Sequence, residues 1–257
     1  MISYVEGWLD PDPWRVLENC ICLHAVPSSN ALARELIELY FEEGQDFRTT
    51  VLAAEAQPGA YGRNERRWEA PAGQGLYLTL VRRVEAGEPL SVVPIAVARW
   101  AREVLVAQTG AAIALKWPND LYVGKRKLGG VIAESRTQGE ETFVAIGIGI
   151  NVKGASSALG VANATTLEEE TGKSLALAPL LQALLDRFDR ELAAPRWGEE
   201  VRAWELVAAH RPGDRLTVRR NGEEITGAYV GLDPSGFLRL ATDAGETTVA
   251  SGEVAAW

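Results

Sequence analysis

The stretch from Ala112 to Val152 decides the fold class. It holds four short β-forming runs, at 112–117, 121–123, 130–136 and 142–152, with Gly124-Lys125 and Gln138-Gly139 as turn signals. Links that short cannot carry the crossover a parallel pair requires, so these strands must meet antiparallel. Helical periodicity recurs around them, at 29–41, 91–108, 166–171, 176–194 and 197–209. Strand runs flanked by helices on one side predict an α+β fold with a mixed, largely antiparallel sheet, not a doubly wound parallel one.

Local signals fill in the rest. A Pro/Asp-rich leader, Asp10-Pro11-Asp12-Pro13, precedes a strand at 20–26 that stops at Pro27. Ser28-Ser29-Asn30 then supplies helix-capping chemistry ahead of Leu32, Leu36, Leu39 and Tyr40 on one helical face. Further strands read at 49–55 and 76–81. Pro94 sits in a first helical turn, where proline is tolerated, and Thr166-x-x-Glu169 is a capping box. Residues 57–75 are polar and glycine-punctuated, too long for a plain connector, which suggests a lid. Past His210, short strands at 215–219, 224–232, 237–241 and 246–250 alternate with Asn221-Gly222, Pro234-Ser235-Gly236 and Ala244-Gly245. That pattern predicts a small SH3-like β-barrel at 209–257 appended to a main domain at 1–208.

Charge restricts the function. With 35 acidic against 26 basic residues and a net charge of -9, the chain lacks the basic face that nucleic acid demands. The appendage has five arginines, no lysine and seven acids, so it is no exception. Any anion site must therefore be built locally. Cys20 and Cys22 form a C-x-C in an apolar run and read as reduced core thiols of a cytosolic protein. His24 and His210 lie too far apart for zinc-ligand spacing, and no metal site is expected. Met1 to Gly7 lacks a basic n-region and no 18-residue apolar run occurs, so the expectation is cytoplasmic, with no membrane partner. No P-loop is present, and Gly147-Ile148-Gly149-Ile150-Asn151 is not a dinucleotide fingerprint.

Three stretches could carry chemistry on an anion that joins a carboxylate to a nucleotide. In Gly62-Arg63-Asn64-Glu65-Arg66-Arg67-Trp68, guanidinium forks can pair with phosphate or carboxylate oxygens and Trp68 offers a π-face to a purine. A solvated arginine-rich loop reads the same way. In Lys116-Trp117-Pro118-Asn119-Asp120 and the following Lys125 to Gly130, Lys116 and Lys127 fall on different strands and can converge on one phosphoryl group. Gly129-Gly130 would let a ligand approach the backbone, while Lys125 and Arg126 read as turn residues. A surface hairpin would account for the lysines alone, but not for the Pro-Asn-Asp interruption of an apolar strand. Gly147 to Asn151, taken alone, reads as glycine relief for sheet packing.

Together these stretches resemble the biotin protein ligases, in the family shared with the lipoate ligases. The resemblance runs from Ser28-Ser29-Asn30 through Gln57, the arginine loop, Gly75-Leu76-Tyr77-Leu78, Lys116-Trp117-Pro118-Asn119-Asp120-Leu121, Arg126-Lys127-Leu128-Gly129-Gly130 and Gly147–Asn151 to the C-terminal barrel. It implies a class II synthetase-like catalytic domain. It also implies a biotin pocket of Ser28, Ser29, Asn30, Gln57, Tyr61, Gly62, Arg63, Lys127 and Gly130. Trp68, Arg66, Lys116, Asn119 and Asn151 would lie on the ATP side. For Ser28 to Asn30, a helix cap without ligand contact is the competing reading. One departure is plain: the family loop Gly-Arg-Gly-Arg-x-Gly-Arg is here Ala60-Tyr61-Gly62-Arg63-Asn64-Glu65-Arg66, stiffer and less cationic.

The implied reaction is ATP-dependent formation of biotinyl-5′-AMP, followed by transfer to a lysine of a biotin carboxyl carrier protein. Lys127, Arg63 and Mg²⁺ would supply positive charge, and Asp120 would orient the acceptor amine or simply pair with a lysine. A lipoate or octanoate ligase, a non-catalytic biotin-binding regulator and a DNA-binding repressor are the alternatives. The stretch ahead of the first strand reads as too short for an N-terminal DNA-binding domain. Exposed sheet edges leave room for a homodimer.

Overall fold

The computed structural model describes residues 14–44 and 47–257. The Asp10–Pro13 leader and the Met1–Gly7 stretch lie outside the described residues. β1 (Asn19–Ala25), α1 (Ser29–Glu43) and β2 (Thr50–Ala56) form a crossover unit in which the two strands pair in parallel. The helix supplies the length that such a connection needs. β3 (Gly75–Arg83) follows, then α2 (Val93–Thr109), and then the hairpins β4 (Ile113–Lys116), β5 (Asp120–Val123), β6 (Arg126–Gln138) and β7 (Glu141–Asn151). The sheet order is β1-β2-β3-β7-β6-β5-β4, and every pair except β1–β2 is antiparallel. The mixed, largely antiparallel α+β expectation is met.

Helices cover both faces of this sheet, not one. Side chains alternate along each strand, so Leu52, Val81, Phe143 and Ala145 meet Ala33 and Ile37 of α1. Their neighbours Val51, Leu80, Val144 and Ile146 face the cluster that holds α2, α4 (Leu177–Ala193) and α5 (Trp197–Glu205). Both sides of the central strands are apolar and each requires a helical layer.

The end of α5 and the cap of the short helix before α4 differ from expectation for tertiary reasons. α5 ends at Glu205, four residues before the periodicity does. There the chain turns onto the free edge of β4, where Leu115 N–H donates to Val207 O (2.9 Å) and Ala209 N–H to Leu115 O (2.7 Å). At α3 (Leu167–Thr171) only half the capping box forms: Thr166 Oγ1 accepts from Glu169 N–H at 3.2 Å, but the Glu169 carboxylate accepts from Ser156 N–H at 2.8 Å instead.

The C-terminal sheet comprises β8 (Arg215–Arg220), β9 (Glu223–Leu232), β10 (Leu238–Thr242), β11 (Gly245–Val249) and β12 (Glu253–Ala256), antiparallel in the order β11-β10-β9-β8-β12. Its buried residues Leu216, Val218, Leu238, Leu240 and Val254 belong to the same core cluster as the α2 face of the large sheet. Trp117 Nε1 donates across the junction to Gly236 O at 3.0 Å.

His210 is sealed into that junction, 2% exposed, with its ring 4.9 Å from Trp257 and 5.9 Å from Tyr229. Neither ring nitrogen has a hydrogen-bond partner. Burial, reinforced by the cations of Lys116 and Lys125 against Asp214, pushes its pKa down to about 4. A depressed folded-state pKa means the unfolded chain binds the proton more tightly. Stability is therefore full above the ordinary value near 6.5 and is lost as pH falls toward 4. Melting curves at pH 7 and pH 5 should show wild type losing about 2 kcal/mol more than His210→Phe over that interval. Equal losses would show that the imidazole is not the cause.

Candidate active site

The site starts from a helix cap. Ser28 ends the extended chain after β1, and its Oγ accepts from Ala31 N–H at 3.3 Å, so the cap expected from the sequence forms. Gln57, at the end of β2, grips the next residue twice: Oε1 accepts from Ser29 N–H and Nε2 donates to Ser29 Oγ, both at 3.0 Å. Ser29 Oγ also meets Thr79 Oγ1 at 2.7 Å. Asn30 is fixed by Thr79 Oγ1, which donates to its Oδ1, and its Nδ2 donates to Glu134 at 3.2 Å. These are neutral hydroxyl and amide groups, buried and held in single orientations.

Residues 60–68 form a small hairpin flap bordering the same pocket. Gly62 N–H donates to Arg66 O (2.7 Å) and Trp68 N–H to Ala60 O (3.0 Å). At the tip, Asn64 and Glu65 both hold φ of 55°, a left-handed conformation that side chains with a Cβ rarely take. Tyr61 Oη donates to Glu134 at 3.0 Å, and burial together with that carboxylate raises its pKa to about 12.

β4, β5 and β6 build the opposite, cationic wall. Lys127 Nζ lies 2.8 Å from Asp120 Oδ1 and 5.6 Å from the Trp68 ring centroid. Lys116 is buried, its ammonium 5.0 Å from the Tyr122 ring, and burial lowers its pKa. The expected reason for Gly129-Gly130 changes here. A Cβ on Gly129 would lie 2.6 Å from Gly149 O, and one on Gly130 would lie 2.9 Å from Asp120 Oδ1. The glycines make room for β7 and for the Asp120–Lys127 pair, although Gly130 does border the cavity.

The glycines of β7 serve the site side chains. A Cβ on Gly147 would fall 2.3 Å from Asn30 Oδ1, and one on Gly149 would fall 2.7 Å from the Trp68 indole. Glycine relief was the expectation; what it relieves is the pocket. Asn151, at the end of β7, donates from Nδ2 to Thr165 O at 3.1 Å.

One cavity of about 720 Å³ gathers all of the site residues named from the sequence, from Ser28 to Asn151. Seven cationic side chains border it against three acidic ones, the reverse of the chain's overall balance. Two buried polar atoms of its wall, Trp68 Nε1 and Asn119 Oδ1, have no hydrogen-bond partner, an arrangement that fits groups waiting for a ligand. Among the described residues no cluster of three or more His, Cys, Asp or Glu could hold a metal, and no helix is long and apolar enough to cross a membrane.

Several residues escaped the sequence reading. Thr79 and Glu134 are ordinary strand positions until the fold sets them against Asn30. Lys125 lies in its turn as expected, but its ammonium also sits 3.4 Å from the Trp257 ring centroid on the cavity rim. The C-terminal sheet contributes a wall through Arg219 and residues 252–257. Arg63 donates to Gly252 O at 2.8 Å, Arg66 pairs with Glu253, and burial lowers the Arg63 pKa.

Residues 33–151 match the Biotin/lipoate A/B protein ligase family, and residues 213–257 match the Biotin protein ligase C terminal domain. The chain is 34% identical to the biotin–[acetyl-CoA-carboxylase] ligase of Paracoccus denitrificans over 79% of its own length and 88% of the relative's. It is 30% identical to the ligase of the same name from Mycobacterium tuberculosis, covering 82% and 80%. Among solved structures, the biotin protein ligase from Aquifex aeolicus in complex with biotin and ATP superposes with a TM-score of 0.74 at 28% identity, covering 92% of this chain and 97% of the other.

Proposed function

The chain belongs to the biotin/lipoate protein ligase family and is a ligase, and we propose that it makes biotinyl-5′-AMP from biotin and ATP and passes the biotinyl group to a lysine of a biotin carboxyl carrier protein. The observation that carries this reading is the polarity of the cavity. One end offers fixed neutral groups, Ser29, Asn30 and Gln57, braced from behind by Thr79 and suited to a buried ureido ring. The other offers Lys116, Lys127 and Arg63, suited to a carboxylate and phosphates.

In the first step a carboxylate oxygen of biotin attacks the α-phosphorus and the bond to the β-phosphate breaks, releasing pyrophosphate. The protein aligns two anions that repel each other and keeps cations where negative charge grows. Lys127, beside Asp120 and the Trp68 ring, takes that charge; Lys116 and Trp68 hold the nucleotide, with Asn119 Oδ1 and Trp68 Nε1 as free polar contacts. Mg²⁺ would be carried chiefly by the phosphates, with Glu69, Asp120 and Glu253 the carboxylates bordering the cavity, and would add positive charge there. In the second step the acceptor amine attacks the acyl carbon and AMP departs. Asp120, bonded to Lys127, would orient that amine and take its proton as the phosphate draws Lys127 away.

Isotope exchange between ATP and pyrophosphate, run with biotin and with lipoate side by side, tests the reading. Exchange stimulated by biotin alone is expected. Stimulation by lipoate instead would move the substrate assignment, and none by either would remove the adenylation step. Arg63→Gly should release the adenylate on the order of tenfold faster, the loss of one charge-assisted contact. Equal retention of radiolabelled adenylate in mutant and wild type would sink that role.

A further inference from the structure

The flap cannot owe its shape to its own tip. Asn64 and Glu65 both sit at φ 55°, where neither has glycine's freedom. Something outside must hold the tip, and the two residues that bracket it, Arg63 and Arg66, both reach the same short piece of the C-terminal sheet. Arg63 Nη1 donates to Gly252 O at 2.8 Å, and Arg66 Nη1 pairs with the Glu253 carboxylate. That piece is itself fixed. Gly252 has φ 152°, and a Cβ there would lie 2.6 Å from Val218 Cγ1 and 3.2 Å from Arg219 O, so only glycine presents its carbonyl in this direction. Glu253 opens β12 and is registered against Arg219 of β8.

We infer that the C-terminal sheet is the catch of the flap, with Glu253 the positioning residue that holds Arg66, and through it Arg63, over the cavity. The catch replaces with a specific contact what a glycine-rich loop would leave to ligand binding. Because the Arg66–Glu253 pair is half exposed, its grip is modest and reversible. The flap can open for substrates and reclose on the adenylate. This role rests on the ligase reading for its effect on catalysis, but not for the contact itself.

Two measurements on the full chain separate these levels. Trypsin cleavage at the flap arginines needs no ligand, and Glu253→Gln should speed it about three- to fivefold, as expected for loss of an exposed pair. The charge-swapped Arg66→Glu/Glu253→Arg protein should return cleavage at Arg63 and Arg67 to within about twofold of wild type. Glu246→Gln, which removes a similar exposed pair with Arg239 elsewhere on the sheet, should match wild type. In a dilution chase of preformed biotinyl-adenylate, Glu253→Gln should release label faster by a similar factor at unchanged melting temperature. Cleavage and release equal to wild type in Glu253→Gln would overturn the catch, as would a defect that follows melting temperature and is not rescued by the swap. If wild type forms no adenylate, the ligase reading falls while the trypsin result still decides the catch.

Discussion

Replacing Lys127 by alanine should lower biotin-dependent exchange of ATP with pyrophosphate by roughly 10²- to 10³-fold, about 3 to 4 kcal/mol of barrier. The side chain lies 2.8 Å from Asp120 and faces the Trp68 ring, so its ammonium stands where carboxylate, phosphate and indole would meet. The backbone does not depend on it: Lys127 N–H donates to Asn163 O at 2.6 Å, and Lys127 O accepts from Thr165 N–H at 2.9 Å. Alanine therefore leaves β6 in place and leaves Asp120 without its ion-pair partner in an anion site, a second cost in the same direction. A melting temperature close to wild type should accompany the lost exchange. Normal pyrophosphate release from Lys127→Ala would remove the residue from the reaction.

Gly147→Ala should weaken biotin binding by on the order of 100-fold, the scale expected when a binding group is displaced by about an ångström. The new methyl would be placed 2.3 Å from Asn30 Oδ1 and 2.9 Å from its Cγ. Asn30 cannot swing aside freely, because Thr79 and Glu134 hold both ends of its amide. The strain passes to the start of α1, where Ser29 and Asn30 border the cavity. Calorimetric titration with biotin checks the affinity, and titration with ATP alone provides the contrast, since Gly147 lies at the neutral end. An unchanged biotin Kd would mean that Asn30 does not touch the ligand.

How much could be read from the chain depended on the range of the interaction. The hairpins between 112 and 152 were legible because turn chemistry is local, and the cap at Ser28 because it needs only three residues. The two-sided helical cover was not, although the alternation of Leu80 with Val81, and of Phe143 with Val144, contains it; the partner of each face is set by the fold. The end of α5 was missed because an unpaired β4 edge competes for the same backbone. In the site, residues that belong to a contiguous motif were found, and residues recruited across the sheet, Thr79 and Glu134, were not. Nothing near Glu253 in sequence announces Arg66, 187 residues away.

The shared core has a bearing on modularity. Trp117 follows the strand β4 that presents Lys116, yet its indole is anchored to Gly236 of the other sheet, and a Cβ on Gly236 would press within 2.2 Å of Ile95 in α2. Cutting the chain at 208 would not free an autonomous enzyme from an accessory. It would strip one wall from the reaction chamber and lay open the hydrophobic interior behind it, so the two sheets would have to be truncated or transplanted as one piece.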